Sequence, residues 1–233
     1  MDLFKSVLML HVIAGFTALA IFWIPLVTKK GGKLHKRIGW VYVWAMAVVA
    51  FSAFYMGIYR IGFDTSRNAE ERSFSFFLIF IAVLSASTAW NGIRVLRYKK
   101  RTERHRNLWD LGLSTLLIIS SLITIGIGWI NDFTLLKFFP ILGVFLGYGQ
   151  LNYWLRPPRT NMHWYFEHFG NLIGCSIATI TAFTVFGAPR LLNISSINIF
   201  LWFLPTILLT PIIIGYTRYY KKKFRISPVK RGA

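Results

Sequence analysis

The chemistry open to this 233-residue chain rests on five histidines, one cysteine and a few carboxylates and amides set among apolar residues. His11 stands one helical turn before Gly15, where the missing side chain leaves room for a flat ring such as a porphyrin beside the imidazole. His35, His105 and His163 each precede or open an apolar segment, in His35-Lys36-Arg37-Ile38-Gly39-Trp40, His105-Arg106-Asn107-Leu108-Trp109 and His163-Trp164. If those segments pack together, the three imidazoles converge at one end of them. The alternative is that they only mark an interface, where basic and aromatic residues collect.

The segment from 162 to 187 carries the densest chemistry. At about 100° per residue, His168, Asn171, Cys175 and Thr179 share one helix face and form a polar stripe that fades at Ala182. Glu167 lies one turn after His163 and could orient that imidazole or share a metal with it. His163 and His168 point about 140° apart and do not suit one ion on a helix starting at 162. The candidate metal ligands are His163, Glu167 and His168, and the candidate cofactor ligands are His11, His35, His105 and His168. His168 and His11 lie about 16 Å apart along the membrane normal by helix rise, too far to share an iron. Asp110 follows Arg106 by one turn and reads as its local ion-pair partner. Cys175 is the only cysteine, which excludes an intrachain disulfide and a multi-cysteine zinc site. The chain contains no GxSxG, HExxH, Walker or CxxC motif.

The elements that position these residues are membrane helices. Apolar residues make up 55% of the chain and charged ones only 15%, with a mean hydropathy of +0.52. Those values exclude a soluble enzyme, a disordered chain and a disulfide-stapled secreted domain. The expected fold is all-α, a polytopic bundle of about seven transmembrane helices. The spans run 4–27, 38–62, 73–97, 108–130, 134–155, 162–187 and 196–219, with Asn131-Asp132-Phe133 as a tight turn between the fourth and fifth. Residues 1–220 form the seven-span domain and 221–233 a basic tail.

The formal charge of +19 would suggest nucleic acid in a soluble protein. Most basic residues instead sit in alternate loops and in the tail, which predicts no nucleic-acid partner. The same bias predicts a multi-pass protein of the plasma membrane, N-terminus outside and C-terminus cytoplasmic. The tail Tyr219-Tyr220-Lys221-Lys222-Lys223-Phe224-Arg225 could bind anionic lipid heads or serve only as a topogenic anchor. Gly143 and Gly147, and the stripe Gly170, Gly174 and Ala178, are expected to let helices approach closely. Asn91, Arg94, Asp110, Gln150, Asn152, Glu167, His168 and Asn171 all fall in the cytoplasmic halves of their spans, which predicts an inward-opening polar cavity.

Three blocks carry a family likeness: Leu10-His11-Val12-Ile13-Ala14-Gly15, Lys33-Leu34-His35-Lys36-Arg37-Ile38-Gly39, and His168-Phe169-Gly170-Asn171 followed by Ala178-Thr179-Ile180-Thr181-Ala182-Phe183. With them the chain resembles, from the first span to the sixth, an uncharacterised family of bacterial predicted membrane proteins, domain of unknown function 2306. The resemblance implies that His11, His35 and His168 are the marked positions, and it brings no activity. Three readings follow from the residues: a redox protein binding haem b or a metal, a zinc-dependent membrane hydrolase acting on lipid, or a non-catalytic carrier or assembly factor.

Overall fold

A computed structural model describes residues 2–64, 68–187, 189, 192 and 200–226. The described residues contain no strand. The helices are α1 (Leu3–Ile21), α2 (Ile24–Val27), α3 (Lys33–Gly62), α4 (Ala69–Arg94), α5 (Leu108–Ile130), α6 (Thr134–Phe138), α7 (Ile141–Leu155), α8 (His163–Ala182) and α9 (Phe200–Lys223). A 3-10 turn at Val95–Arg97 closes α4, and a π-helical turn at Phe183–Gly187 follows α8.

Among the described residues, seven segments are long and apolar enough to cross a membrane: Leu3–Val27, Lys33–Gly62, Glu71–Arg97, Leu108–Ile130, Thr134–Leu155, His163–Val185 and Leu201–Lys223. Each coincides with an expected span to within a few residues. The second begins five residues earlier than expected, so His35 belongs to its first turn. The expected start of the last span, residue 196, lies outside the described residues, as do residues 227–233 of the tail. Pro25 falls where the first span breaks into α2 and Pro140 where α6 gives way to α7. Pro205 and Pro211 sit inside α9.

The chain divides into two compact units, residues 1–89 with 113–148 and residues 90–112 with 149–233. In the first unit, α1 runs antiparallel to α3. The rings of Phe4 and Tyr59 meet at 5.1 Å, His11 meets Ser52, and Pro25 meets His35. Ala14 and Ala18 are buried, whereas Leu10, Val12, Ile13 and Phe16 are exposed, as lipid-facing residues must be. A Cβ at Gly57 would lie 2.6 Å from Ile79, a close approach of α3 and α4. Phe77, Phe80 and Phe139 form an aromatic core, and Asn131 donates to Ser73 across the turn before α6.

The two expected glycine patterns behave differently. A Cβ at Gly143 would collide with Ser121 and Phe80, and one at Gly147 would lie 2.6 Å from Ile118 and 3.0 Å from the Ser114 carbonyl. Gly143 and Gly147 therefore do let α7 and α5 pack backbone to side chain. A Cβ at Gly170 or Gly174 would meet nothing within 4 Å, so the expected packing stripe on α8 is corrected. The close contact to α8 is made instead by Gly92, where a Cβ would lie 2.8 Å from Leu172.

In the second unit, α8 and α9 join through rings: Phe169 stacks on Tyr216 at 5.1 Å, and Tyr165 meets Tyr220 and Phe224. Residues 98–107 form a strap between α4 and α5, pinned where the His105 amide donates to the Trp154 carbonyl at the end of α7.

Candidate functional site

Asp110 is the most densely bonded carboxylate of the second unit. It occupies the first turn of α5, where the Asn107 side chain caps the amides of Trp109 and Asp110 and the helix dipole favours an anion. Oδ1 accepts from Trp90 Nε1 at 2.9 Å and from Arg94 Nε at 2.8 Å. Oδ2 lies 3.1 Å from the same Nε and accepts from His105 Nε2 at 2.7 Å. The residue is 1% exposed, and these donors take the place of the water it has left. The expected partner of Asp110 was Arg106. The structure assigns it Arg94 and His105, because the strap folds the imidazole back over the start of α5 and the end of α4 lies beside it. His105 thus serves as a hydrogen-bond donor to the Asp110 carboxylate.

Arg101, in the strap, organises a second group. Its guanidinium donates to the carbonyls of Tyr153, Trp154, Arg156 and Glu103 at 2.8 to 3.3 Å, capping the carbonyls that the end of α7 leaves open. It also lies over the Tyr153 ring at 4.5 Å. The Tyr153 hydroxyl meets His163 Nδ1 at 2.8 Å. Trp154, fully buried, donates from Nε1 to Asn91 Oδ1 at 2.7 Å. Neither Arg101 nor the Tyr153–Trp154 pair stood out in the sequence, where Arg101 reads as a topogenic loop charge.

On α8 the expected stripe is real: Cys175 and Thr179 are buried, and His168 and Asn171 are partly so. Gln150 donates from Nε2 to Asn171 Oδ1 at 3.1 Å, and Asn171 Nδ2 donates to the Glu167 carbonyl at 2.8 Å and to Glu167 Oε2 at 3.3 Å. His168 Nδ1 donates to the Gly92 carbonyl at 2.6 Å. His163, Glu167 and His168 therefore turn to three different partners. Among the described residues, no three His, Cys, Asp or Glu side chains are grouped to hold a metal.

In the first unit, His11 Nδ1 lies 2.8 Å from Ser52 Oγ. That hydroxyl gives its own hydrogen to the carbonyls of Val48 and Val49, at 2.6 and 3.0 Å, so it accepts from His11. His35 Nδ1 lies 3.1 Å from the Pro25 carbonyl, an acceptor only. His11, His35 and His168 are thus alike: in the neutral ring each carries its proton on Nδ1, and Nε2 holds the lone pair. They do not form one site in the first unit. His11 is level with Ser52, and His35 lies 17 residues earlier on α3, about 25 Å along the axis.

Residues 8–111 match the model of a family described as predicted membrane protein (DUF2306). That is the family resembled by the His11 and His35 blocks, and the match ends in the first turn of α5, short of the His168 block. No curated protein and no solved structure matches the chain.

Proposed function

We propose that this multi-pass protein, with a segment of the DUF2306 predicted membrane protein type, is a redox protein that binds haem b or a redox metal through single imidazoles, foremost His11. The observation that carries the reading is the shared hydrogen-bond pattern of His11, His35 and His168. A ring whose Nδ1 proton is held by a protein oxygen presents Nε2 in a fixed direction, as metal-ligating histidines do. His11 also meets the steric requirement, since a Cβ at Gly15 would find nothing within 4 Å and leave space beside the ring. The depth difference from His35 rules out both on one iron, so each ligand belongs to its own site. A bound haem would supply one-electron chemistry.

The test is an absorption spectrum of the detergent-purified protein with metal analysis of the same sample. A Soret band that shifts on reduction and disappears in His11→Ala supports the reading. Stoichiometric zinc without a band sinks it in favour of the lipid hydrolase. Neither, after supplementation with haem and metals, leaves the carrier or assembly role.

The same proposal places the protein in the plasma membrane with a cytoplasmic C-terminus, supported by the basic loops and tail. At the end of α9, Lys221 lies over Phe166 and Lys223 over Tyr219 and Tyr220, an aromatic and basic edge suited to anionic lipid heads at about 1 kcal/mol per charge. Retention on phosphatidylserine vesicles, lost on replacing the three lysines by glutamine, tests that contact.

A further inference from the structure

The strap between α4 and α5 is more basic than its structural contacts require. Six of the ten residues from Arg97 to Arg106 are Lys or Arg, against one carboxylate, Glu103. Of the six only Arg101 is withdrawn from the surface, to its four carbonyls. Arg97, Lys99, Lys100, Arg104 and Arg106 are exposed, and none of them is in an ion pair with a described residue. Like charges at this density repel one another and would spread apart in a free loop. Here they are held together. The Arg101 guanidinium and the His105 amide fasten the strap to the end of α7, and the His105 ring fastens it to Asp110 on α5. The Lys99 ammonium lies over the Trp164 ring, at the start of α8, at 4.5 Å.

The place of this surface indicates what neutralises it. The third span ends at Arg97 and the fourth begins at Leu108, so the strap runs along a face of the bilayer, level with the lipid headgroups. Directly after it, Leu108 is 86% exposed and Trp109 74%. A soluble polyanion would leave that pair in water. A phospholipid meets the charges with its phosphate and the two apolar side chains at the boundary of its acyl chains. We propose that the strap is a binding site for anionic phospholipid of the surrounding bilayer. The site is separate from the lysines of α9 and independent of any haem or metal at His11.

Native mass spectrometry of the detergent-purified full chain tests this, with phosphatidylglycerol and phosphatidylcholine of the same acyl chains offered in equal amounts. The wild type should retain phosphatidylglycerol at least about fivefold more than phosphatidylcholine. Replacing Arg97, Lys100, Arg104 and Arg106 together by glutamine should remove most of that preference. Replacing Lys221, Lys222 and Lys223 by glutamine should leave most of it in place. In vesicles, a photoactivatable phosphatidylglycerol should cross-link to residues 98–109 of the wild type, a measurement that decides even where the fourfold variant fails to fold. Equal retention of the two lipids would overturn the proposal. Cross-links confined to α9 would overturn it too, while leaving the α9 contact standing. Tighter binding of a short DNA oligonucleotide than of phosphatidylglycerol, removed by the same four changes, would overturn it in favour of a soluble polyanion.

Discussion

His168 donates its Nδ1 proton to the carbonyl oxygen of Gly92 at 2.6 Å, closing a contact 76 residues long in sequence. Gly92 is among the last residues of α4, whose carbonyls have lost their intrahelical donors, and its lack of a side chain admits Leu172 to within touching distance. The bond therefore completes a helix end and fixes a candidate ligand at once. The two roles separate by substitution. His168→Asn keeps a donor for the carbonyl and should retain most of the stability, while His168→Ala should lose about 1–3 kcal/mol. Both should abolish any metal or haem signal that depends on Nε2. Thermal unfolding in detergent, run beside the absorption spectrum, reads the two effects apart.

The glycines give a graded stability prediction. Gly92→Ala, Gly143→Ala and Gly147→Ala each force a methyl into an occupied position and should cost about 1–3 kcal/mol. Gly170→Ala and Gly174→Ala meet open space within α8 and should be neutral or stabilising by up to about 1 kcal/mol. Equal losses in both groups, in melting temperature, would contradict the packing described for α5, α7 and α8.

Asp110→Asn should be among the most damaging single changes, at about 3–5 kcal/mol, because it removes the buried member of the ion pair and leaves the half-buried Arg94 guanidinium without its counter-charge. Paired with Arg94→Met, it should cost less than the sum of the two single changes. A double-mutant cycle on chemical denaturation measures that coupling.

Arg101→Lys keeps the charge but cannot reach four carbonyls, since an ammonium lacks the planar fork of donors. The strap 98–107 should loosen from the end of α7. Limited proteolysis with Glu-C, cutting at Glu103, should proceed faster in the variant while the helical circular dichroism stays the same.

In the turn between α5 and α6, the Lys137 ammonium holds the exposed Asp132 carboxyl below the usual carboxylate range, chiefly by hydrogen bonding. A group whose folded value is lowered stabilises the fold above its unfolded value and loses that contribution as pH falls through the folded one. The contribution is small at a solvent-exposed site. Melting temperature should therefore drop slightly more on acidification in the wild type than in Asp132→Asn.

Fold class and span positions were legible in the residues because a bilayer imposes a length and a polarity on every crossing, whatever the helices touch. The stripe on α8 was legible for a similar reason, since helical periodicity alone puts His168, Asn171, Cys175 and Thr179 on one face. Partnership was not. Arg106 stands a turn from Asp110 in sequence, yet Arg94 and His105 hold it. Gly170 and Gly174 have the spacing of a packing motif and face open space, while Gly92, with no such pattern, makes the contact. The tertiary structure decided these points because a hydrogen bond or a close approach depends on which helix ends meet. A single sequence records the faces of its helices and leaves their neighbours unspecified.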